Sequence, residues 1–188
     1  MWWSEMRSVA VLARLAPVMA LAALLGGCFQ PLYSEHALGG GNASVAQALH
    51  QITVDEIKTP RGTRIDRVGY EIRSNLIYSL TGGNGGVSPT HKLDIELKSS
   101  QQQIVVDPSS GRADVSNYGI DATYTLTELA TDKVVVRSVA SSRVSYSIPG
   151  QQQRFAGERG LRDAENRAAA VISDNIRNRL ASYFAAGT

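Results

Sequence analysis

The sequence predicts an α+β domain in which two helices cover one face of a four-stranded, mostly antiparallel sheet. Three observations carry this expectation. The segments His91 to Lys98, Tyr118 to Glu128 and Val134 to Ile148 alternate apolar and polar residues, the period of strands buried on one side only. Asp66 to Leu80 and Glu158 to Phe184 instead repeat apolar residues at spacings of three and four, the stripe of an amphipathic helix. The order strand, helix, three strands, helix places a meander between two helices, and such segregation is met by a two-layer sandwich.

Residues 1–27 lie outside this domain. Arg7 and Arg14 precede an uncharged run from Leu15 to Leu25, and Gly26 and Gly27 lead to Cys28, the chain's single cysteine. This is the order of charged region, apolar region and small-residue cleavage site of a secretory signal. The run falls short of the roughly 20 apolar residues of a membrane-spanning helix. Leu25-Gly26-Gly27-Cys28 has the form of a bacterial lipobox, in which the thiol is acylated and then becomes the first residue of the mature protein. A lone thiol is a liability in an oxidising compartment, and acylation consumes it. Several acyl chains also provide the two-signal anchoring that one chain lacks, at about 0.8 kcal/mol per buried methylene. Met6 makes a more ordinary start than Met1, and the reading holds for either. Phe29, not aspartate, follows the cysteine, so the expected address is the outer membrane, with the domain on the periplasmic side.

The mature chain has 161 residues, with 17 basic and 16 acidic side chains. That length suits one domain with a proper core, and near-neutrality excludes a general attraction to nucleic acid. Residues 28–50 read as acylated N-terminus and flexible tether, with Gly39-Gly40-Gly41-Asn42 as its loosest part. Residues 51–188 read as a single α+β domain.

Within it, Gln51 to Ile57 is a short strand, with Ile52 and Val54 alternating against Thr53 and Asp55, stopped by Pro60-Arg61-Gly62. Ile65, Val68, Ile72, Leu76 and Leu80 form the stripe of the first helix, with Asp66 as N-cap and Gly82 as stop. The glycine-rich loop from Gly82 to Gly86 lacks the Gly-Lys-Ser/Thr of a phosphate loop and leaves a helix instead of opening one. In the meander, Leu93, Ile95 and Leu97 face the core, the strand resumes from Gln103 to Val106, and Asp107-Pro108-Ser109-Ser110-Gly111 is the turn. Tyr118, Ile120, Ala122, Tyr124 and Leu126 face inward on the next strand, and Val134, Val136, Ala140, Val144, Tyr146 and Ile148 on the last. Leu161, Ala164, Ala168, Ile172, Ile176 and Leu180 form the stripe of the closing helix, whose outer face carries the pairs Glu158 with Arg162 and Asp163 with Arg167.

Catalytic chemistry is not expected. His36, His50 and His91 read as surface residues without companions at metal-ligand spacing, and no thiol is left once Cys28 is acylated. There is no Gly-x-Ser-x-Gly elbow, and Asp94 with Glu96 lies on the wet side of a strand. No metal and no cofactor is implied. The sheet face away from the helices bears Lys92, Lys98, Arg137 and Arg143 among serines and threonines, either as ordinary solubilising residues or as a face for an anionic amphiphile or a polar protein wall.

The signal and lipobox, the motif Cys28-Phe29-Gln30-Pro31-Leu32-Tyr33, and the succession of strand, helix, long meander and arginine- and alanine-rich helix resemble the lipopolysaccharide-assembly lipoprotein family LptE in its alphaproteobacterial form. The family commonly has a glycine between the cysteine and the aromatic residue, absent here. The resemblance implies a non-catalytic outer-membrane lipoprotein that plugs the lumen of the β-barrel LptD, assists its assembly and supports lipopolysaccharide transport to the cell surface. It also implies basic lipopolysaccharide contacts, which by position are Arg112 beyond the hairpin turn and Arg159 at the helix start, followed by Lys98 and Arg143. An auxiliary lipoprotein of a periplasmic phospholipid-transport complex and a lipid-anchored periplasmic enzyme are the alternatives.

Overall fold

The computed structural model describes residues 45–83, 88–106, 113–148 and 154–186. Cys28, Arg112, His36 and the hairpin turn at 107–111 lie outside them. In chain order the elements are α1 (Val45–His50), β1 (Ile52–Val54), α2 (Arg64–Thr81), β2 (His91–Val106), β3 (Ala113–Glu128), β4 (Lys133–Ser147) and α3 (Arg154–Ala185). The sheet order is β1-β2-β3-β4. β1 runs parallel to β2, with α2 as the crossover, and the other pairs are antiparallel. The α+β class, the mostly antiparallel sheet and the helices on one side are as expected.

The helical stripes make the core. Ile72, Leu76 and Leu80 of α2 and Ile172, Ile176 and Leu180 of α3 are fully buried over Leu93, Ile120 and Leu126 of the sheet. Small residues let the two helices approach: Ala164, Ala168, Ala169 and Ala181 are buried. Ser173 Oγ donates within its own helix to the Ala169 carbonyl at 2.9 Å and lies 3.4 Å from that of Ile72.

Several local expectations are corrected. The first element of the domain is a helix, α1, not a strand; it falls in the stretch read as tether and buries Leu49. The cap of α2 is Thr63, three residues before Asp66. Its hydroxyl accepts from the Asp66 amide, while the Asp66 carboxylate accepts from the Gly62 amide at 3.0 Å and the Thr59 hydroxyl at 2.8 Å. Those donors hold the Asp66 carboxyl below its ordinary range. Gly82 does end the helix, at φ 67°, a left-handed conformation suited to glycine. β2 is one continuous strand through Lys98 to Gln103. Val134 does not face the core: Leu126 pairs with Val136 and Thr127 with Val134, so Val135 is an extra residue. That bulge shifts the alternation by one, and Val134 is 46% exposed. His91 is not a surface residue but half-buried, edge-on to Phe184 at 5.3 Å. Burial pushes its imidazole below the ordinary value, with Glu128 opposing.

Candidate anion-binding cleft

At the end of the domain where α2 and α3 begin, the two helices diverge around a cleft of about 300 Å³. The capped first turns of α2 place Arg64 and Arg67 on one wall. The opening turns of α3 place Phe155, Glu158, Arg159, Arg162 and Glu165 on the other. α3 lies close against the end of β4 at Gly160, where an added Cβ would sit 3.3 Å from the Ser147 carbonyl oxygen.

Two ion pairs tie the walls together. Arg64 reaches both carboxylate oxygens of Glu158, at 3.2 and 3.0 Å. Arg67 pairs with Glu165 and donates to Asn166 Oδ1 at 3.0 Å. The first pair is exposed and contributes little. The second is different, because the Glu165 side chain is only 4% exposed and its Oε1 has no partner among the described residues. The ionised carboxylate depends on Arg67 for compensation. Nearby, burial first and the charge of Glu165 second push the Tyr118 phenol above its ordinary value.

Arg159 and Arg162 make no ion pair with a described residue. The expected pair of Glu158 with Arg162 is replaced by Glu158 with Arg64, whereas Asp163 with Arg167 forms at 2.7 Å. The cleft therefore contains four guanidinium groups against two carboxylates, with Phe155 86% exposed beside them. Two free guanidiniums suit a phosphate or carboxylate through bidentate hydrogen bonds.

The other site residues expected from sequence are not gathered here. Lys98 and Arg143 lie on the uncovered sheet face, opposite Asp121 and Gly119 respectively. Arg143 is engaged: it pairs with Asp121 at 2.9 Å and donates to the Ile120 and Ser142 carbonyls at 3.1 and 3.0 Å. It lies across Gly119, where a Cβ would come within 2.8 Å of its Cδ. Arg159 is in the cleft but is not at the helix start, because α3 begins at Arg154. Arg64, Arg67, Arg162 and Glu165 are the cleft residues that sequence reasoning missed. Among the described residues there is no group of His, Cys, Asp and Glu arranged to hold a metal, and no helix long and apolar enough to cross a membrane.

No family profile and no curated protein matches the chain. Among solved structures, a Caulobacter crescentus protein described as a lipoprotein matches with a TM-score of 0.58 and 20% identity, covering 75% of this chain and 96% of that one. The fold is shared with a bacterial lipoprotein. Rare lipoprotein B from Shewanella oneidensis matches with a TM-score of 0.49 and 12% identity, over 70% and 93% of the two chains. Lipoprotein B from Nitrosomonas europaea matches with a TM-score of 0.49 and 14% identity, over 72% and 83%.

Proposed function

We propose that this chain is an outer-membrane lipoprotein of the LptE type, anchored through acylated Cys28. Its domain sits within the LptD barrel, assists assembly of that barrel and offers the α2/α3 cleft to lipopolysaccharide phosphates. The observation that carries the reading is the position of Arg159 beside Arg162 in a cationic cleft, both without an ion pair to a described residue. The shared fold supports it, as does the lipobox at the head of the chain. The uncovered sheet face is polar, with Asp94, Glu96, Lys98, Thr123, Thr125 and Ser141 along it, and a wide barrel interior is polar and wet.

The test is lipopolysaccharide binding by the full chain carrying Arg159→Glu and Arg162→Glu. Both side chains are exposed, so circular dichroism should be unchanged while affinity falls by at least about tenfold, or 1.4 kcal/mol. Equal binding by the folded double variant removes the cleft from lipid recognition.

A further inference from the structure

Among the described residues β4 is the last strand of the sheet, paired with β3 on one side and with no strand on the other. The open edge spans Lys133–Ser147, contains no proline and carries a bulge only near its beginning. An unpaired ladder of this kind is a template for a further strand unless something blocks it. Near its end the edge is occupied, because Arg167 of α3 donates to the Ser145 carbonyl at 3.3 Å. The same contact shows which main-chain groups face outward. By the alternation of the strand, those of Arg143, Ser141, Val139 and Arg137 point the same way.

At its other end the edge opens into a second cleft, about 320 Å³ in volume, where Val135, Val136 and Arg137 face Arg179, Ser182 and Tyr183 from the last turns of α3. β4 bears Lys133, Arg137 and Arg143 and no carboxylate. Arg143 is committed to Asp121, but neither Arg137 nor Arg179 makes an ion pair with a described residue. Between Arg137 and Arg143, Val139 is 58% exposed, an apolar side chain in a polar row.

We infer that the β4 edge receives an extended acidic segment of another protein, which adds a strand to the sheet. Main-chain hydrogen bonds to Arg137, Val139 and Ser141 hold the segment. Its carboxylates meet Arg137 and Arg179, and an apolar side chain covers Val139. Charge selects this occupant over a second copy of the chain. Two β4 edges would supply Lys133 and Arg137 of each copy with no carboxylate on either strand to answer them, whereas an acidic segment answers Arg137 with opposite charge. The inference is independent of the lipopolysaccharide cleft, which lies at the opposite end of α3.

The test mixes the full acylated chain in detergent with a short synthetic peptide in which glutamate and valine alternate along one face of the strand and a further glutamate faces the other, and follows hydrogen–deuterium exchange. Slower exchange confined to Lys133–Ser147 is expected. The variant with Arg137→Glu and Arg179→Glu should keep its circular dichroism and bind at least about tenfold more weakly. Methylating alternate peptide nitrogens removes main-chain donors but keeps the carboxylates, so it should abolish binding. No protection of β4, or equal binding by the methylated peptide, overturns the inference. Concentration-dependent protection of β4 without peptide also overturns it, assigning the edge to a second copy.

Discussion

Replacing Arg67 by methionine is expected to lower the stability of the domain by about 3 kcal/mol, the low end for breaking a buried pair because Arg67 itself keeps some contact with water. The loss arises at Glu165, whose carboxylate stays buried with its compensating charge gone. The Asn166 bond is lost with it. Adding Glu165→Leu to the variant removes the stranded charge, and most of the stability should return, since a buried ion pair and an apolar replacement of similar volume are often near equal. Urea unfolding of the two variants and the parent gives the comparison. If Arg67→Met alone unfolds at the parent's midpoint, the pair does not compensate Glu165 and the description of the cleft wall is wrong.

The second large effect is all-or-none. Cys28→Ala should abolish palmitate labelling and cleavage by the lipoprotein signal peptidase. It removes the chain's single thiol, and with it an anchor whose strength grows by about 0.8 kcal/mol per buried methylene. The variant, still carrying its apolar signal segment, should therefore be missing from the outer-membrane fraction. Labelling that persists in Cys28→Ala contradicts the anchor.

Both predictions combine what is local in the sequence with what is not. The stripes of α2 and α3 were legible because burial along a helix repeats every three or four residues, so Val68, Ile72, Leu76 and Leu80, and Leu161 through Leu180, could be placed on the core without knowing their neighbours. The inward faces of β2 and β3 were legible for the same reason. The cap of α2 was assigned to Asp66 instead of Thr63 because both residues serve the same helix start, one through its hydroxyl and the other through its carboxylate. α1 is too short to establish a period. Val134 faces outward because of a bulge that exists only in the pairing of β4 with β3, and alternation alone carries no trace of it.

The candidate site was legible to a smaller degree. Arg159 was picked out, and it lines the cleft, but the residues it meets come from a helix almost a hundred positions earlier in the chain: Arg64 bonds Glu158 and Arg67 bonds Glu165. Arg143 looked like a free cation on a strand. Register alone places Gly119 opposite it and Asp121 within reach, and those residues absorb its charge. Opposite charges four apart suggest Glu158 with Arg162, yet Arg64 of the neighbouring helix takes the carboxylate. Long-range placement, which periodicity does not encode, decided which arginines are left for a ligand.

The proposed partnership of this domain with an outer-membrane β-barrel is tested by purification of the tagged full chain from its native envelope in mild detergent, followed by mass spectrometry of what accompanies it. Near-equal recovery of one large outer-membrane β-barrel is the predicted result. Recovery of inner-membrane transporter components, or of the chain alone, contradicts it.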